Sequence, residues 1–555
     1  MSSRSGSADS HRRRYRRIAS VLQRHGLGVA AGLLGLDRWI PFDKGAFGHA
    51  RRDEPYTSPE HVRLALEDLG PTFVKLGQLL STRSDLLPPE YLRELAKLQD
   101  AAPSEEWEPI KAVIREELGA DPDEVFGSFD PSPVAAASIG QAYAATLHDG
   151  TEVIVKVRRP GAVAQVTEDL EILRNLAERA DRRWEAARQL NLPGLVEEFS
   201  RTLRAELDYL HEARNAERFA STFAASPDVK IPRVFRDTTT SRVLTLERMH
   251  GIRVDDLTAL DAAGIDRPQL AQRGAALILT MVFEDRFFHA DPHPGNMFVQ
   301  SDGSLALIDF GMVGELDDEV TEQLADILLG FTGGDVDGLT TAVLALSVTK
   351  DGADRDELRG ALAAFVSQYR GLPLSEINLS RLLGELLAVL RHHHLQLPPQ
   401  TALLFKVLMM GEGLAVRLDP GFQMLKALTP FSRRIVQQRY SLAALARRWA
   451  RASADAGELL LELPATLRQL RRLLDTGGVA VHLRAAELEP LMGRAERIGN
   501  RLIAALIAAA LINGIGELVS GNLRWRGREG VMIGAGAGVI TALGGYLVWT
   551  RRRRR

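Results

Sequence analysis

The most informative stretch of the chain is HADPHPGNMFVQSDGSLALIDFG, residues 289–311. It places Asn296 five positions after Asp291, and a second aspartate, Asp309, thirteen positions after that asparagine. Pro292 and Pro294 fix the backbone φ angle and remove two amide donors, so this segment cannot be a regular helix. The prolines therefore hold Asn296 at a defined offset from Asp291.

Three interpretations of this loop compete. His289, Asp291 and His293 could form a metal site, which would require a roughly tetrahedral pocket. The segment could also be a stiff structural loop. Alternatively, an Asp and an Asn on one loop, with Asp309 at the end of the next hairpin, converge on a point where magnesium-bound phosphates can sit. The surrounding chain favours the third interpretation.

A lysine lies in an apolar strand upstream of the loop. The strand Val-Ile-Val-Lys, residues 153–156, follows the hairpin signal Asp149-Gly150. A lysine there is costly unless its ammonium group meets an anion such as the phosphates of a nucleotide. On its own, Lys156 would be interpreted as a solvated side chain. The order of lysine strand, acidic helix, Asp-x4-Asn loop and Asp-Phe-Gly is, however, the order found in kinases.

Composition narrows the function classes. The chain of 555 residues is too long for one core, and its net charge of -3 argues against a nucleic-acid-binding protein. The absence of cysteine excludes disulfides, thiolate zinc sites and cysteine nucleophiles. Catalytic chemistry must therefore come from oxygen and nitrogen groups.

Local patterns predict alternating helical and β segments. Proline and glycine punctuation predicts a helix from Ser58 to Gly70, and one long helical pattern covers residues 194–224. Strands are predicted at residues 141–147, 152–158, 229–235, 242–247, 296–300 and 305–310. The chain after this region is helical in pattern to about residue 490.

Both termini carry basic and apolar segments. Residues 12–17 contain five arginines and precede an apolar run at 26–36, which favours an amphipathic surface segment over a signal peptide because no cleavage site follows. Residues 502–519 and 531–549 predict a transmembrane hairpin with both ends in the cytoplasm, because basic residues flank its ends. A re-entrant or surface hairpin is the alternative.

Several motifs resemble the AarF/UbiB family of atypical protein-kinase-like proteins, which is related to the mitochondrial Coq and ADCK kinases of ubiquinone synthesis. The resemblance covers about residues 56–440 and extends to the C-terminal hairpin. The family's Lys-x-Gly-Gln signature is present from Lys75 to Gln78, and its Glu-x-Asp signature is present from Glu206 to Asp208. An alanine-rich loop replaces the usual glycine-rich loop of kinases; it consists of Ala135, Ala136, Ala137 and Ser138.

The resemblance implies roles for individual residues. Lys156 would contact the phosphates of ATP or ADP and be held by Glu212, while Asp291 would occupy the catalytic-loop position. Asn296 and Asp309 would ligate Mg²⁺. The remaining residues implied at the cofactor site are Ala135, Ala136, Ala137 and Ser138, the connector residues Glu247 and Met249, and Lys75, Gln78, Glu206 and Asp208, with Lys75 paired to Glu206 or Asp208.

The implied fold is α+β, an atypical protein-kinase-like fold of two lobes. We expect a basic N-terminal segment on a membrane surface and a helical extension that carries the Lys-x-Gly-Gln signature, followed by the two lobes and a C-terminal transmembrane hairpin. The predicted boundaries are 1–55, 56–121 for the extension, 122–250 and 251–440 for the lobes, 441–500 for a helical linker, 501–550 for the hairpin and 551–555 for a basic tail.

The resemblance implies a membrane-anchored ATPase or atypical kinase that uses Mg²⁺ and ATP to support isoprenoid-quinone biosynthesis or lipid homeostasis. Its partners would be membrane lipids and a quinone precursor or quinone-biosynthesis proteins. Ala290 replaces an arginine that regulated protein kinases use, and only residues 312–316 separate Asp-Phe-Gly from the next helix, which disfavours peptide substrates. A lipid-binding pseudokinase and a small-molecule kinase are the alternatives.

Overall fold

The structure, a computed structural model, describes residues 3–25, 57–98, 104–348, 354–372 and 376–428, together with Phe431. These residues belong to the first of two compact units, Met1–Arg447; the second, Arg448–Arg555, lies outside the described residues. The first unit is a mixed α+β fold, as the sequence predicted. Its strands form two four-stranded sheets, the first of them near the N-terminal half, and one two-stranded sheet.

Helices precede the first sheet. Thr57 begins the second of them with a capping box, because its side chain accepts a hydrogen bond from the Glu60 N–H and the Glu60 carboxylate accepts one from the Thr57 N–H. At its other end the helix stops, as predicted, before Gly70, because the φ of 98° at that position suits glycine. These helices are α1 (Ser3–Arg24), α2 (Ser58–Leu69), α3 (Pro71–Thr82), α4 (Pro89–Leu95), α5 (Trp107–Leu118) and α6 (Pro122–Val125).

The first sheet is antiparallel and carries the predicted lysine. Val153, Val155 and Val157 alternate along its third strand and are fully buried on one face, while Lys156 points to the other face. The buried face packs against Ile110 and Ile114 of α5. The strands are β1 (Ser128–Ala136), β2 (Gly140–Thr146), β3 (Glu152–Arg158) and β5 (Val243–Glu247), in the order β1-β2-β3-β5.

The helices after β3 correct one prediction. The predicted long helix over residues 194–224 is broken at Leu207 and Asp208, because the Asp208 side chain accepts a hydrogen bond of 3.0 Å from the Leu210 N–H and starts a new helix there. The break sets the direction of the helix that carries Glu212. The helices are α7 (Ala162–Arg183), α8 (Glu185–Gln189), α9 (Leu192–Glu206) and α10 (Tyr209–Thr222).

The second half of the unit is mostly helical around short strands. The predicted strand at 229–235 is reduced to a two-residue strand, β4, which pairs in parallel with the second strand of the Ser301–Gly303 hairpin. The strands are β4 (Val229–Lys230), β6 (Ile252–Arg253), β7 (Phe287–His289), β8 (Met297–Val299), β9 (Leu305–Leu307) and β10 (Val313–Glu315); the helices are α11 (Leu257–Ala262), α12 (Arg267–Phe283), α13 (Asp318–Gly333), α14 (Val336–Leu346), α15 (Arg355–Tyr369), α16 (Leu379–His392) and α17 (Pro399–Leu418).

The N-terminal helix packs on the protein; the rest of the segment expected on a membrane surface, residues 26–55 with the apolar run 26–36, lies outside the described residues. Ile18, Ala19 and Val21 of α1 are buried in a cluster with residues of α2 and α7. The Arg14 guanidinium lies 2.6 Å from an Asp169 oxygen and donates to the Leu69 carbonyl at 2.8 Å. An amphipathic pattern fits a lipid surface or a protein surface equally well, and here the apolar face of α1 meets protein.

None of the described helices is both long and apolar enough to cross a membrane. This finding contradicts the predicted location, a multi-pass membrane protein with a cytoplasmic catalytic domain. The longest described helices, α1 and α7, each have 22 residues but carry charged faces. The predicted linker, hairpin and basic tail, residues 441–555, lie outside the described residues.

Candidate functional site

Lys156 and Glu212 form a short ion pair at the centre of the candidate site. The Lys156 Nζ atom lies 2.6 Å from Oε1 of Glu212, which α10 places opposite the middle of β3. The two side chains are 21% and 8% exposed. Burial alone would lower the pKa of Lys156, but the carboxylates of Asp309 and Glu212 raise it above its ordinary value. The lysine is therefore held as a cation.

Asp309 approaches the same lysine from the segment after β9. Its Oδ2 atom lies 3.9 Å from Lys156 Nζ, and its Oδ1 atom accepts a hydrogen bond of 2.9 Å from the Gly311 N–H. Lost hydration would raise the pKa of Asp309, but Lys156, the Gly311 N–H, His289 and Lys75 together lower it to about 2. Asp309 is therefore a carboxylate at neutral pH.

The predicted catalytic loop is folded as the prolines require. Pro294–Asn296 form a single 3₁₀ turn, and the Asn296 side-chain amide donates to the Asp291 carbonyl at 3.2 Å. The Asp291 N–H donates to Nδ1 of buried His289 at 3.1 Å. Burial lowers the pKa of His289 against the opposing effect of Asp309 and Asp291. A neutral imidazole at this position can accept the bond, and it fixes the backbone of Asp291.

The tetrahedral metal hypothesis does not fit this geometry. His289 is buried and uses Nδ1 to accept from Asp291, whereas His293 is exposed and uses Nδ1 to accept from the Gly295 N–H at 3.1 Å. Within the described part of the chain, no group of three or more His, Asp or Glu side chains is arranged to hold a metal ion. Both histidines act on the backbone of the loop.

The sequence analysis missed Lys406, a lysine that contacts the predicted catalytic loop. The Lys406 Nζ atom lies 3.0 Å from Oδ1 of Asp291, and Lys406 comes from α17, 115 residues further along the chain. The available signal was a single charge in the otherwise apolar run TALLFKVLMMG, residues 401–411. The partner of this charge depends on how α17 packs against the rest of the protein, and sequence periodicity does not predict that packing.

The Lys-x-Gly-Gln helix lies at the edge of the site. Lys75 Nζ is 3.2 Å from Oε2 of Glu206, so of the two acids that the resemblance offered, Glu206 is the partner. Asp208 instead caps α10. Lys75 also contributes to the low pKa of Asp309, which places its charge near the Lys156 cluster. The Gln78 side-chain amide donates to the carbonyl of Leu98, which follows α4, at 3.2 Å.

The alanine-rich segment begins inside a strand. Ala135 and Ala136 belong to β1 and pair with Ala142 and Gln141 of β2, so only the next residues form the turn. The Ala137 N–H donates to the Gly140 carbonyl at 2.8 Å, and Ser138 is buried. The alanine side chains keep this backbone in extended geometry, whereas a glycine-rich loop could adopt positive φ angles.

Glu247 and Met249 lie at the connector between the lobes. Glu247 ends β5 opposite Val153, three residues along β3 from Lys156, which is a separation of about 10 Å along the strand. Its carboxylate accepts a hydrogen bond of 3.2 Å from the Arg233 N–H. Met249 is half-buried just beyond it. The structure thus places both residues beside the central cluster without joining them to it.

Comparisons with known protein families match this architecture. A model of the ABC1 atypical kinase-like domain matches residues 97–343, and a model of the UbiB helical domain matches residues 362–423. A probable protein kinase UbiB from Xylella fastidiosa is 34% identical over 512 residues, which cover 90% of this chain and 93% of that protein. An uncharacterized protein of Synechocystis, sll1770, is 35% identical over 439 residues, or 78% of this chain and 75% of the relative.

One solved structure is also similar. The complex of Rv3197 with erythromycin from Mycobacterium tuberculosis has 24% sequence identity to this chain and a TM-score of 0.45. The match covers 64% of this chain and 90% of that one. A TM-score this low supports no conclusion about function.

Proposed function

The chain belongs to the ABC1/UbiB family of atypical kinase-like proteins, and we propose that it uses ATP and Mg²⁺ for phosphoryl chemistry that supports isoprenoid-quinone biosynthesis or lipid homeostasis. The γ-phosphate would go to water or to an acceptor hydroxyl group. The observation that carries the proposal is the convergence of Lys156, Glu212 and Asp309, with 2.6 Å and 3.9 Å separating the lysine from the two acids.

The roles follow from the chemistry of phosphoryl transfer. Catalysis of this reaction depends on positioning and on stabilising negative charge, rather than on covalent chemistry with the protein. Lys156, held as a cation by Glu212, would bind the nucleotide phosphates. Asp291, whose backbone is fixed by His289, would orient the attacking hydroxyl group or water.

Asn296 and Asp309 have the chemistry that a magnesium site requires. Mg²⁺ prefers hard oxygen ligands and is usually held by one or two protein side chains together with phosphates and water. The Asp309 carboxyl group has its pKa lowered to about 2 and is 46% exposed, so a charged oxygen is available to an ion. A bound ion would supply positive charge to the phosphate oxygens.

An ordinary peptide substrate has little to bind to. After Asp309-Phe310-Gly311, the chain forms β10 (Val313–Glu315), which pairs with β7, and then enters α13 at Asp318. The residues that could form a peptide-binding platform are therefore part of a sheet. This argues for a small or lipid acceptor, or water, and the quinone link itself rests on the family alone.

The test is magnesium-dependent ATP hydrolysis by the full chain, with and without a prenylated phenol in detergent micelles. We expect Asp309→Asn to abolish turnover, whereas Asp123→Asn, an exposed aspartate of α6, should leave it unchanged. Stimulation by the prenylated phenol would support an isoprenoid acceptor or regulator.

Two other outcomes would overturn the proposal or part of it. If the wild type binds nucleotide without turning it over, the protein acts as a nucleotide-binding pseudokinase. Phosphate transfer to a soluble alcohol would indicate a small-molecule kinase.

A further inference from the structure

A lysine from the C-terminal helices reaches the catalytic loop. Lys406 Nζ lies 3.0 Å from Oδ1 of Asp291, and Lys406 belongs to the residues that match the UbiB helical domain. The loop itself, residues 289–296, contains no lysine or arginine. The positive charge beside Asp291 is therefore supplied by α17 and not by the loop.

The position of this charge has an energetic cost. Its neighbours Leu404, Phe405, Val407 and Leu408 are buried, and the Lys406 side chain is only 20% exposed. A lysine in such surroundings is unfavourable unless its ammonium group finds an anion. Another charged residue of α17, Glu412, accepts hydrogen bonds from the Leu379 and Ser380 N–H groups and caps α16. Glu412 thus has a structural partner in its own domain, whereas Lys406 faces the catalytic loop.

We propose that Lys406 is a catalytic residue that binds the phosphoryl group while it is transferred. This inference rests on the proposed function. A nucleophile oriented by Asp291 would lie within hydrogen-bond distance of its carboxylate and about 3–3.5 Å from the phosphorus atom. An ammonium group that touches the same carboxylate is therefore within reach of the phosphoryl oxygens. An ammonium group has three N–H donors, and the contact with Asp291 uses one of them.

The other two lysines that contact the site have different partners, and Lys156 is already assigned to the phosphates of the nucleotide. Lys156 is bound to Glu212, and Lys75 is bound to Glu206.

In the reaction, the bond from the γ-phosphorus to the bridging oxygen of ADP breaks, and a bond to the oxygen of water or an acceptor hydroxyl forms. The proton of that hydroxyl passes to Asp291. Lys406 transfers no proton; it compensates the negative charge on the oxygens of the transferred group.

The experiment compares Lys406→Met and Lys406→Arg with Lys426→Met, a control at an exposed lysine of the same helical region. Two quantities are measured in the full chain: kcat for ATP hydrolysis, and the affinities for Mg-ADP with and without aluminium fluoride, which mimics the transferred group. Losing one transition-state donor typically lowers kcat by roughly 100-fold. We expect Lys406→Met to show this loss and a similar weakening of the aluminium fluoride complex, while ADP affinity is unchanged.

Lys406→Arg should retain more of the kcat and of the affinity for the aluminium fluoride complex than Lys406→Met does, because arginine keeps the positive charge. Equal weakening of ADP and of the aluminium fluoride complex, or no change in either, would overturn the proposal, since a structural residue affects both ligands alike. If Lys406→Met weakens the aluminium fluoride complex but the wild type does not hydrolyse ATP, the proposed hydrolysis is overturned and the contact between Lys406 and the transferred group still holds. If the wild type binds Mg-ADP equally well with and without aluminium fluoride and does not hydrolyse ATP, both the proposed hydrolysis and the proposed role of Lys406 are overturned.

Discussion

The side-chain amide of Asn215 donates a hydrogen bond of 2.9 Å to the backbone carbonyl of Phe310. The carboxylate of Glu212, three positions earlier on α10, accepts a hydrogen bond of 3.4 Å from the N–H of the same phenylalanine. One face of α10 thus holds both polar backbone groups of Phe310, whose ring is fully buried against Phe219 and His289. Because Asp309 directly precedes Phe310, α10 sets the position of Asp309 relative to Lys156.

Asn215→Leu should weaken this connection. The buried carbonyl of Phe310 would lose its donor, which typically costs about 1–3 kcal/mol of unfolding free energy. We also expect kcat for ATP hydrolysis to fall, because Asp309 would no longer be held in one place. Urea unfolding and steady-state hydrolysis measure the two effects. Asn175→Leu is the control, since the exposed Asn175 amide only donates to the Glu171 carbonyl within α7. Equal behaviour of the two variants would contradict the role given to Asn215.

Gly77 allows α3 to pack closely beside the site. A Cβ atom at this position would lie 2.3 Å from Cδ1 of Leu98 and 2.8 Å from Cδ1 of Leu66. We expect Gly77→Ala to lower the free energy of unfolding by about 1–3 kcal/mol, because the leucine side chains must move to make room. The same shift would displace Lys75, two residues earlier, from Glu206. Chemical denaturation measures the first effect, and the affinity for Mg-ATP measures the second.

Gly384→Ala is the matched control for this substitution. Gly384 also lies within a helix, α16, but a Cβ atom there would have no neighbour within 4 Å. Alanine should therefore stabilise the protein by up to about 1 kcal/mol through its better helix propensity. If Gly77→Ala were equally neutral or stabilising, α3 would not be held as closely as the structure indicates.

Much of the candidate site could be predicted from order and spacing along the chain. Asp291 and Asn296 share one loop, and prolines fix that loop locally, so their proximity needs no knowledge of tertiary packing. Lys156 and Glu212 required a family resemblance, because a lone strand lysine and a lone helix glutamate are common on protein surfaces. The structure brings them to 2.6 Å although 56 residues separate them. Their chemical roles stay predictions.

The missed and corrected features depend on packing between distant elements. Lys406 meets Asp291 through the packing of α17, 115 residues further along the chain, and its sequence signal is a single charge in an apolar helix. The burial of Ile18 and Val21 of α1 against protein was likewise missed, because an amphipathic pattern does not say what its apolar face will meet. In the same way, the break between α9 and α10 depends on Asp208 acting as a cap, and residues 194–224 continue the helical pattern through it.

Tyr143 should make the stability of the protein sensitive to alkaline pH. This side chain is fully buried on β2, and its hydroxyl oxygen accepts a hydrogen bond of 2.9 Å from the Gln141 amide. Burial raises the pKa of Tyr143 to about 12, against the opposing effect of Arg159. The phenol therefore stays protonated in the folded chain at pH values where it ionises in the unfolded chain. The contribution of Tyr143 to the free energy of unfolding is fully present below about pH 10 and is lost as the pH rises toward 12.

Tyr143→Phe isolates this contribution. Between pH 9 and pH 11, the wild type should lose about 1.4 kcal/mol more unfolding free energy than the variant, because it alone must keep a buried phenol protonated. Urea unfolding at both pH values measures the difference, and tyrosinate absorbance in the folded state checks the ionisation directly. Parallel losses in the two proteins would show that Tyr143 ionises at its ordinary pKa.

Arg83 ties the helical extension to the C-terminal helices. Its guanidinium lies 2.8 Å from both Asp85 and Glu198 and donates to the Leu397 carbonyl at 3.3 Å, while the Leu397 N–H donates to Asp85 at 3.0 Å. Arg83 and Asp85 are buried. Removing one member of a buried ion pair leaves an uncompensated charge and typically costs about 3–5 kcal/mol. We therefore expect Arg83→Met to destabilise the protein by about this amount in urea unfolding.

The exposed pair of Arg174 and Glu197 provides the comparison for Arg83→Met. Its atoms lie 3.0 Å apart, close to the 2.8 Å of the buried pair, but both side chains are more than 40% exposed. Solvent screening reduces such a pair to about 0–1 kcal/mol, so Arg174→Met should scarcely change stability. If both variants lost the same amount, the buried network would contribute no more than a surface ion pair. If only Arg83→Met also weakened Mg-ATP binding, docking of the extension would be coupled to the site through α3, which carries both Lys75 and Gly77.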